Sequence, residues 1–230
     1  MEGRGIYYYE NCSAYYNGEW QKGCKHGKGI YYSKEEVYEG SWRSGKKDGE
    51  GYHHNQLTRE TYHGHFSEDQ RSGQGKVVFG DGSIYSGQFE RDLPNGHGCF
   101  EYVNKDKYEG EFLNDKKHGR GTYWFSEGTS FQGLWENDSK VEGELVLFNG
   151  DIFKGLFQDN FRYQGFYYYK NGDVYQGFWK NDLKQGPGKL TLEIGEQYEG
   201  DFDQGTKHGF GKYRWASGDT YEGSFNRDRR

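Results

Sequence analysis

The chain has 230 residues and a formal net charge of −6, and only 31% of it is hydrophobic, against roughly 45–50% in an ordinary globular chain. That balance excludes nucleic-acid binding by overall charge, and 38 glycines beside two prolines, with no G-X-Y period, exclude collagen. Leu, Ile, Val and Phe number only 38, so the 22 tyrosines, 16 phenylalanines and six tryptophans must build the core, each ring residue burying roughly 150–250 Å².

Residues 1–15 read as a half repeat, with Gly3-x-Gly5 and no motif ahead of it. An aromatic-x-Gly-x-aromatic pentad then recurs ten times, beginning at Tyr16, Tyr38, Tyr62, Tyr85, Tyr108, Phe131, Phe153, Tyr175, Tyr198 and Tyr221, at spacings of 22 to 24 residues. Side chains alternate along a strand, so ring, glycine and ring share one face. The glycine is expected to make room for a ring of the neighbouring strand, and Gly110→Val is expected to damage folding more than Gly128→Val. Three residues past each pentad stands Gly, Asp or Asn, from Gly23 to Asp228, and these types accept a left-handed backbone, which predicts a fixed turn.

Seven residues after the pentad's last ring, a Gly-x-Gly opens a second strand, as at Gly27/Gly29 and Gly209/Gly211. Asn149-Gly150-Asp151, Asn171-Gly172-Asp173 and Ser217-Gly218-Asp219 then signal the hairpin turn into the next pentad. After Trp135 and Phe157 the turn is one residue shorter and Val141 and Tyr163 replace the first glycine. A bend, a partner notch and sequence drift all remain open readings there. The period leaves no room for a helix. The predicted fold is all-β, an elongated single-layer antiparallel meander of about twenty strands in one repeat array over 1–230, stabilised by stacking of neighbours.

The Tyr-x-Gly-x-Trp pentad followed by Gly-x-Gly at this period resembles the MORN repeat. The resemblance implies an extended antiparallel β solenoid of the kind found in junctional, ciliary and cytoskeletal scaffolds and beside catalytic domains of some lipid kinases and methyltransferases. The chain is similar to radial-spoke-head proteins, which are largely arrays of this repeat and include copies that lose the first glycine of Gly-x-Gly. The expected function is therefore a non-enzymatic scaffold in a cytoskeletal, ciliary axonemal assembly of the cytoplasm, with other assembly proteins as partners and no cofactor. Two alternatives stay open: a peripheral membrane or phosphoinositide tether, and the targeting arm of a longer enzyme.

No nucleophile or acid-base motif is present, and Gly-x-Gly enters a strand without a following Lys-Ser/Thr, unlike a phosphate loop. Five residues past the pentads lies a basic ladder, Lys25, Lys47, Arg71, Lys117, Lys140, Arg162, Lys184, Lys207 and Arg230, broken at Pro94. It offers anionic lipid heads about 1 kcal/mol per cation, or forms a solvated edge compensated by the acidic turn residue two positions earlier. His53, His54, His63 and His65, and Cys24-x-His26, are candidate metal half-sites; His26, His118 and His208 occupy a turn position, and no metal is expected. Cys12, Cys24 and Cys99 are too few for a disulfide framework. On the strand face opposite the core stand Tyr32, Trp124, Val146, Phe166 and Tyr168, a candidate partner surface. Open strand edges also predict association of two copies through the sheet ends.

Overall fold

A computed structural model describes residues 1–10 and 13–230; Cys12 lies outside the described residues. These form twenty strands and no α-helix, and the chain divides into two compact units, Met1–Lys116 and Lys117–Arg230. The first unit holds β1 (Gly3–Tyr8), β2 (Tyr15–Gln21), β3 (Cys24–Tyr32), β4 (Glu36–Arg43), β5 (Lys46–Asn55), β6 (Thr61–Ser67), β7 (Gln70–Val78), β8 (Ile84–Glu90), β9 (Leu93–Glu101) and β10 (Lys107–Leu113). The second is built on β11 (Lys116–Trp124), β12 (Ser130–Glu136), β13 (Ser139–Val146), β14 (Ile152–Gln158), β15 (Phe161–Tyr168), β16 (Val174–Lys180), β17 (Leu183–Thr191), β18 (Gln197–Asp203), β19 (Thr206–Arg214) and β20 (Thr220–Phe225). Within each unit every strand pairs antiparallel with its chain neighbours, an open meander.

The two glycines of each repeat face each other across every pairing. In the first unit the row runs Gly5, Gly18, Gly29, Gly40, Gly51, Gly64, Gly75, Gly87, Gly98, Gly110. In the second it runs from Gly121 to Gly223 without a break. The ring that uses the cleared space is the repeat's own tyrosine and not, as the sequence pattern suggests, one from a neighbour. A Cβ on Gly64 would meet the Tyr62 hydroxyl at 2.6 Å and Gly75 Cα at 2.6 Å. Tyr62 Oη donates to the His65 carbonyl at 3.0 Å, and Tyr38, Tyr85, Tyr108, Tyr175 and Tyr198 repeat that bond to the residue three on.

Pentad rings alternate edge-to-face along each unit. Tyr16 meets Trp20 at 5.1 Å and Trp42 at 5.3 Å, and Tyr38 meets Trp42 at 4.9 Å and Phe66 at 5.2 Å, all at 82–89°. Such pairs contribute about 0.5–1.5 kcal/mol beyond their burial, and the first rings from Tyr16 to Tyr198 are almost wholly inaccessible.

The turns after the pentads are of the left-handed two-residue kind, with positive φ at both positions, for example Glu68 (53°) and Asp69 (71°), the geometry that matches the strand twist. The two irregular repeats follow from the width of the adjoining bulge. In the Tyr repeats a bulge leaves two extra residues on the second strand: Gly18 pairs Gly29, while Glu19 pairs His26. The first glycine of Gly-x-Gly sits there at positive φ, 58° at Gly27 and 60° at Gly73. After Phe131 and Phe153 the bulge holds one extra residue, Gly133 pairing Gly143, Leu134 pairing Glu142 and Trp135 pairing Lys140. That narrower bulge needs no left-handed residue, so Val141 and Tyr163 fit, and a ring without a hydroxyl leaves no donor needing the wide bulge's carbonyl. Loss of a residue, a glycine and a phenol is one change.

Candidate functional site

The basic ladder stands over the ring face. Lys25 Nζ lies 4.2 Å from the Tyr31 ring centroid and 4.4 Å from that of Trp42. Arg162 lies 4.4 Å from Trp179, Lys207 4.8 Å from Tyr213 and Arg230 4.8 Å from Trp215. Lys47, Arg71, Lys117, Lys140 and Lys184 sit 5.2–5.6 Å from their nearest rings, within the reach of cation–π attraction. Burial pulls the Lys25, Lys140 and Lys184 ammonium groups below their ordinary range. Pro94, where the ladder breaks, is itself buried.

Acidic partners come from other turns and strands than the expected turn two positions earlier: Glu36 for Lys47 and Glu60 for Arg71 precede the cation, while Asp92, Asp138 and Asp182 of the following repeat reach Arg71, Lys117 and Arg162. The Lys47 amide donates to Asp69 Oδ1 at 2.7 Å while the Asp69 amide donates to the Lys47 carbonyl at 2.9 Å. The same two-way clamp joins Arg71 to Asp92, Lys117 to Asp138 and Lys207 to Asp228. Strands end here with unpaired amides and carbonyls, and the turn aspartate satisfies both groups. Arg162 adds a side-chain bond from Nε to Asp182 Oδ1 at 2.7 Å. Where the turn residue is Gly45 or Gly205, only the carbonyl half remains.

The histidines do not meet as a pair. Register sets Tyr52 against His63 and His53 against Tyr62, and His53 instead turns to Glu36, whose Oε2 lies 2.6 Å from His53 Nε2 and 2.7 Å from Lys47 Nζ. Among the described residues no group of three or more His, Cys, Asp or Glu side chains is placed to hold a metal.

The outward rings fall in two places. Tyr32, 39% exposed, stacks on Tyr15 at 5.5 Å in the first unit. In the second unit Trp124, Val146 and Tyr168 share one cross-strand row with Ser130, Ile152 and Val174. Phe166 lies in the adjoining row and stacks on Tyr168 at 6.2 Å and 17°. Trp124, Phe166 and Tyr168 are 39–40% exposed. Sequence reading found the outward residues after Gly-x-Gly and missed those at the pentad's fourth position and inside Gly-x-Gly, namely Leu134, Leu156, Phe178, Pro187 and Phe210. Their strand parity was readable, yet whether parity survives the bulge was not. Of these, Phe178, Pro187 and Phe210 help line a groove of ≈ 880 Å³ that runs over the glycine row from Gln164 to Glu222.

A family model described as MORN repeat matches residues 16–35, 38–54, 62–84, 85–107, 108–130, 175–197 and 198–220, more than half of the chain. The longest stretch it skips, 131–174, carries the two narrow-bulge repeats. Comparison with curated proteins gives no match. Among solved structures, the chain is similar to the TCP10 domain of Danio rerio CPAP in complex with a peptide of Danio rerio STIL, at 13% identity and a TM-score of 0.47 over 91% of this chain and 99% of that one. It is also similar to the SAS-4 (dCPAP) TCP domain of Drosophila melanogaster in complex with a proline-rich motif of Ana2, at 13% identity and 0.42 over 66% and 84%. At those values the likeness carries no inference about what this chain binds.

Proposed function

Because this chain belongs to the MORN-repeat family, we propose that it works as a non-catalytic scaffold whose repeats hold other proteins in a cytoskeletal assembly, the ciliary axoneme in particular. The observation that carries this reading is the unequal use of the two strand faces. One face spends its rings and its cations on internal packing, while the other leaves Trp124, Phe166 and Tyr168 two-fifths exposed. Anchoring rings of that kind cost at least ~2 kcal/mol of binding when truncated, whereas rim charges cost little. The axonemal setting rests on the resemblance to radial-spoke-head arrays.

The test compares the wild-type 230-residue chain with a Trp124→Ala, Phe166→Ala variant in pull-downs from ciliated cells, with thermal unfolding as the control for folding. Axonemal proteins are expected with wild type and to be lost with the variant at unchanged Tm. Anionic vesicles in a salt series are expected to leave the protein in the supernatant. Co-sedimentation with vesicles, together with an unaffected ring variant, overturns the reading in favour of a membrane tether.

A further inference from the structure

The groove of the second unit is not uniformly apolar. Phe178, Pro187, Asp201 and Phe210 line it together; Gln164 pairs with Phe178, Pro187 with Asp201 and Phe210 with Ser224, and bulges separate Phe178 from Pro187 and Asp201 from Phe210. Asp201 is the one charged residue of those four. It is exposed, Phe210 beside it is 62% exposed, and its carboxylate has no ion pair among the described residues. In the adjoining row Lys212 is held by Glu222 at 3.7 Å, whereas Glu199, next to it in register, likewise has no ion pair among the described residues. Along the groove Glu199, Asp201 and Glu222 stand with Lys189 and Lys212, Lys189 lying opposite Glu199 in register, and the whole chain carries a net charge of −6.

An exposed carboxylate in a groove that is also lined by aromatic rings is half of an arrangement this protein completes elsewhere with its own cations. Arg162 sits against Trp179 at 4.4 Å and Asp182 at 2.7 Å, and Arg71 against Phe89 at 5.3 Å with Glu60 at 2.9 Å. In the groove Asp201 stands with Phe178, Pro187 and Phe210, and no cation of this chain is paired with it among the described residues. Resting on the scaffold reading above, we propose that this groove receives an extended segment of a partner protein that places an arginine or lysine against Asp201 and Glu199. Apolar side chains on either side of that cation pack on Phe166, Phe178 and Pro187. A cation between a carboxylate and a ring is attracted by both, and alternate residues of an extended segment reach the two rows in turn.

Fluorescence anisotropy with the full chain tests this, using a labelled twelve-residue peptide in which arginine alternates with leucine and a counterpart with glutamate in place of arginine. The arginine probe is expected to bind wild type at least about tenfold more tightly than the glutamate probe. Asp201→Asn with Glu199→Gln, and separately Phe210→Ala, should each weaken it about tenfold. Glu39→Gln with Glu50→Gln, the same charge change on the first unit, should alter it less than about twofold. Equal binding of the two probes, or equal losses in both double variants, overturns the proposal, since either means a diffuse charge effect. The two readings are told apart by partner capture: if it is lost in the Trp124, Phe166 variant but kept in the Asp201, Glu199 variant, this inference falls and the scaffold reading stands.

Discussion

A phenol and two glycines make the smallest unit of the fold. Burial pushes the Tyr16, Tyr62 and Tyr198 phenols up to about 12, so at neutral pH they remain O–H donors to the bulge carbonyls. The ring can reach that carbonyl only by lying flat over both glycines. Gly64→Ala is therefore expected to cost about 1–3 kcal/mol. Gly5→Ala, whose added methyl would meet nothing nearer than Trp20 at 3.9 Å, should be close to neutral. Thermal unfolding of the two variants checks this, and equal shifts would remove the role given to the phenol. Gly128 is a poor neutral comparison for Gly110, because it holds φ +99° and its added Cβ would stand 3.2 Å from Phe148. The sequence showed that a glycine was required between two rings. Which ring covers it was not legible, because that depends on a bulge visible only once strands are paired.

At the scale of the hairpin, alternation and turn chemistry were fully readable, since Asp, Asn and Gly recurring at one offset mark a left-handed backbone position. Cross-strand polar pairing was not. His53 occupies an inward position that other repeats give to a ring or an aliphatic, and nothing near it in sequence announces Glu36, seventeen residues earlier, as its partner. The hydrogen bond from His53, joined by that from Lys47 and opposed by partial burial, holds the Glu36 carboxyl at about 2, below its ordinary 4.5. A depressed carboxylate stabilises the fold in full above its unfolded value and ceases to do so as pH falls through its folded value. Wild type should accordingly lose stability through Glu36 as pH falls from about 4.5 towards 2. Glu36→Gln should start less stable at neutral pH and show a shallower fall, a difference of order 2–4 °C in Tm over that window. Parallel pH profiles for the two proteins would show that the Glu36 bridge contributes nothing.

Over the whole chain, the ladder is where residue type was legible and role was not. Nine cations at one repeat position read as a charged surface, because the rings they cover and, for Lys47, Arg71, Lys117 and Lys207, the aspartates that receive their amides lie far away in sequence. Reversing those charges is therefore a folding experiment as much as a surface one. The clamp also runs one way: Asp69, Asp92, Asp138 and Asp228 each satisfy the amide and carbonyl of the residue 21 or 22 positions before them. Hydrogen exchange can see this, since Asp92→Ala should release the Arg71 amide while amides of the hairpins that follow keep their protection. Exchange rising equally on both sides would mean that the bond carries no direction. In terms of heredity, each repeat is finished by its successor, so a gene segment copied or deleted in whole periods leaves every joint intact, and one cut in mid-period leaves a predecessor unfinished. Growth and shrinkage of the array are thus restricted to steps of one period, and an added repeat arrives already able to complete the one before it.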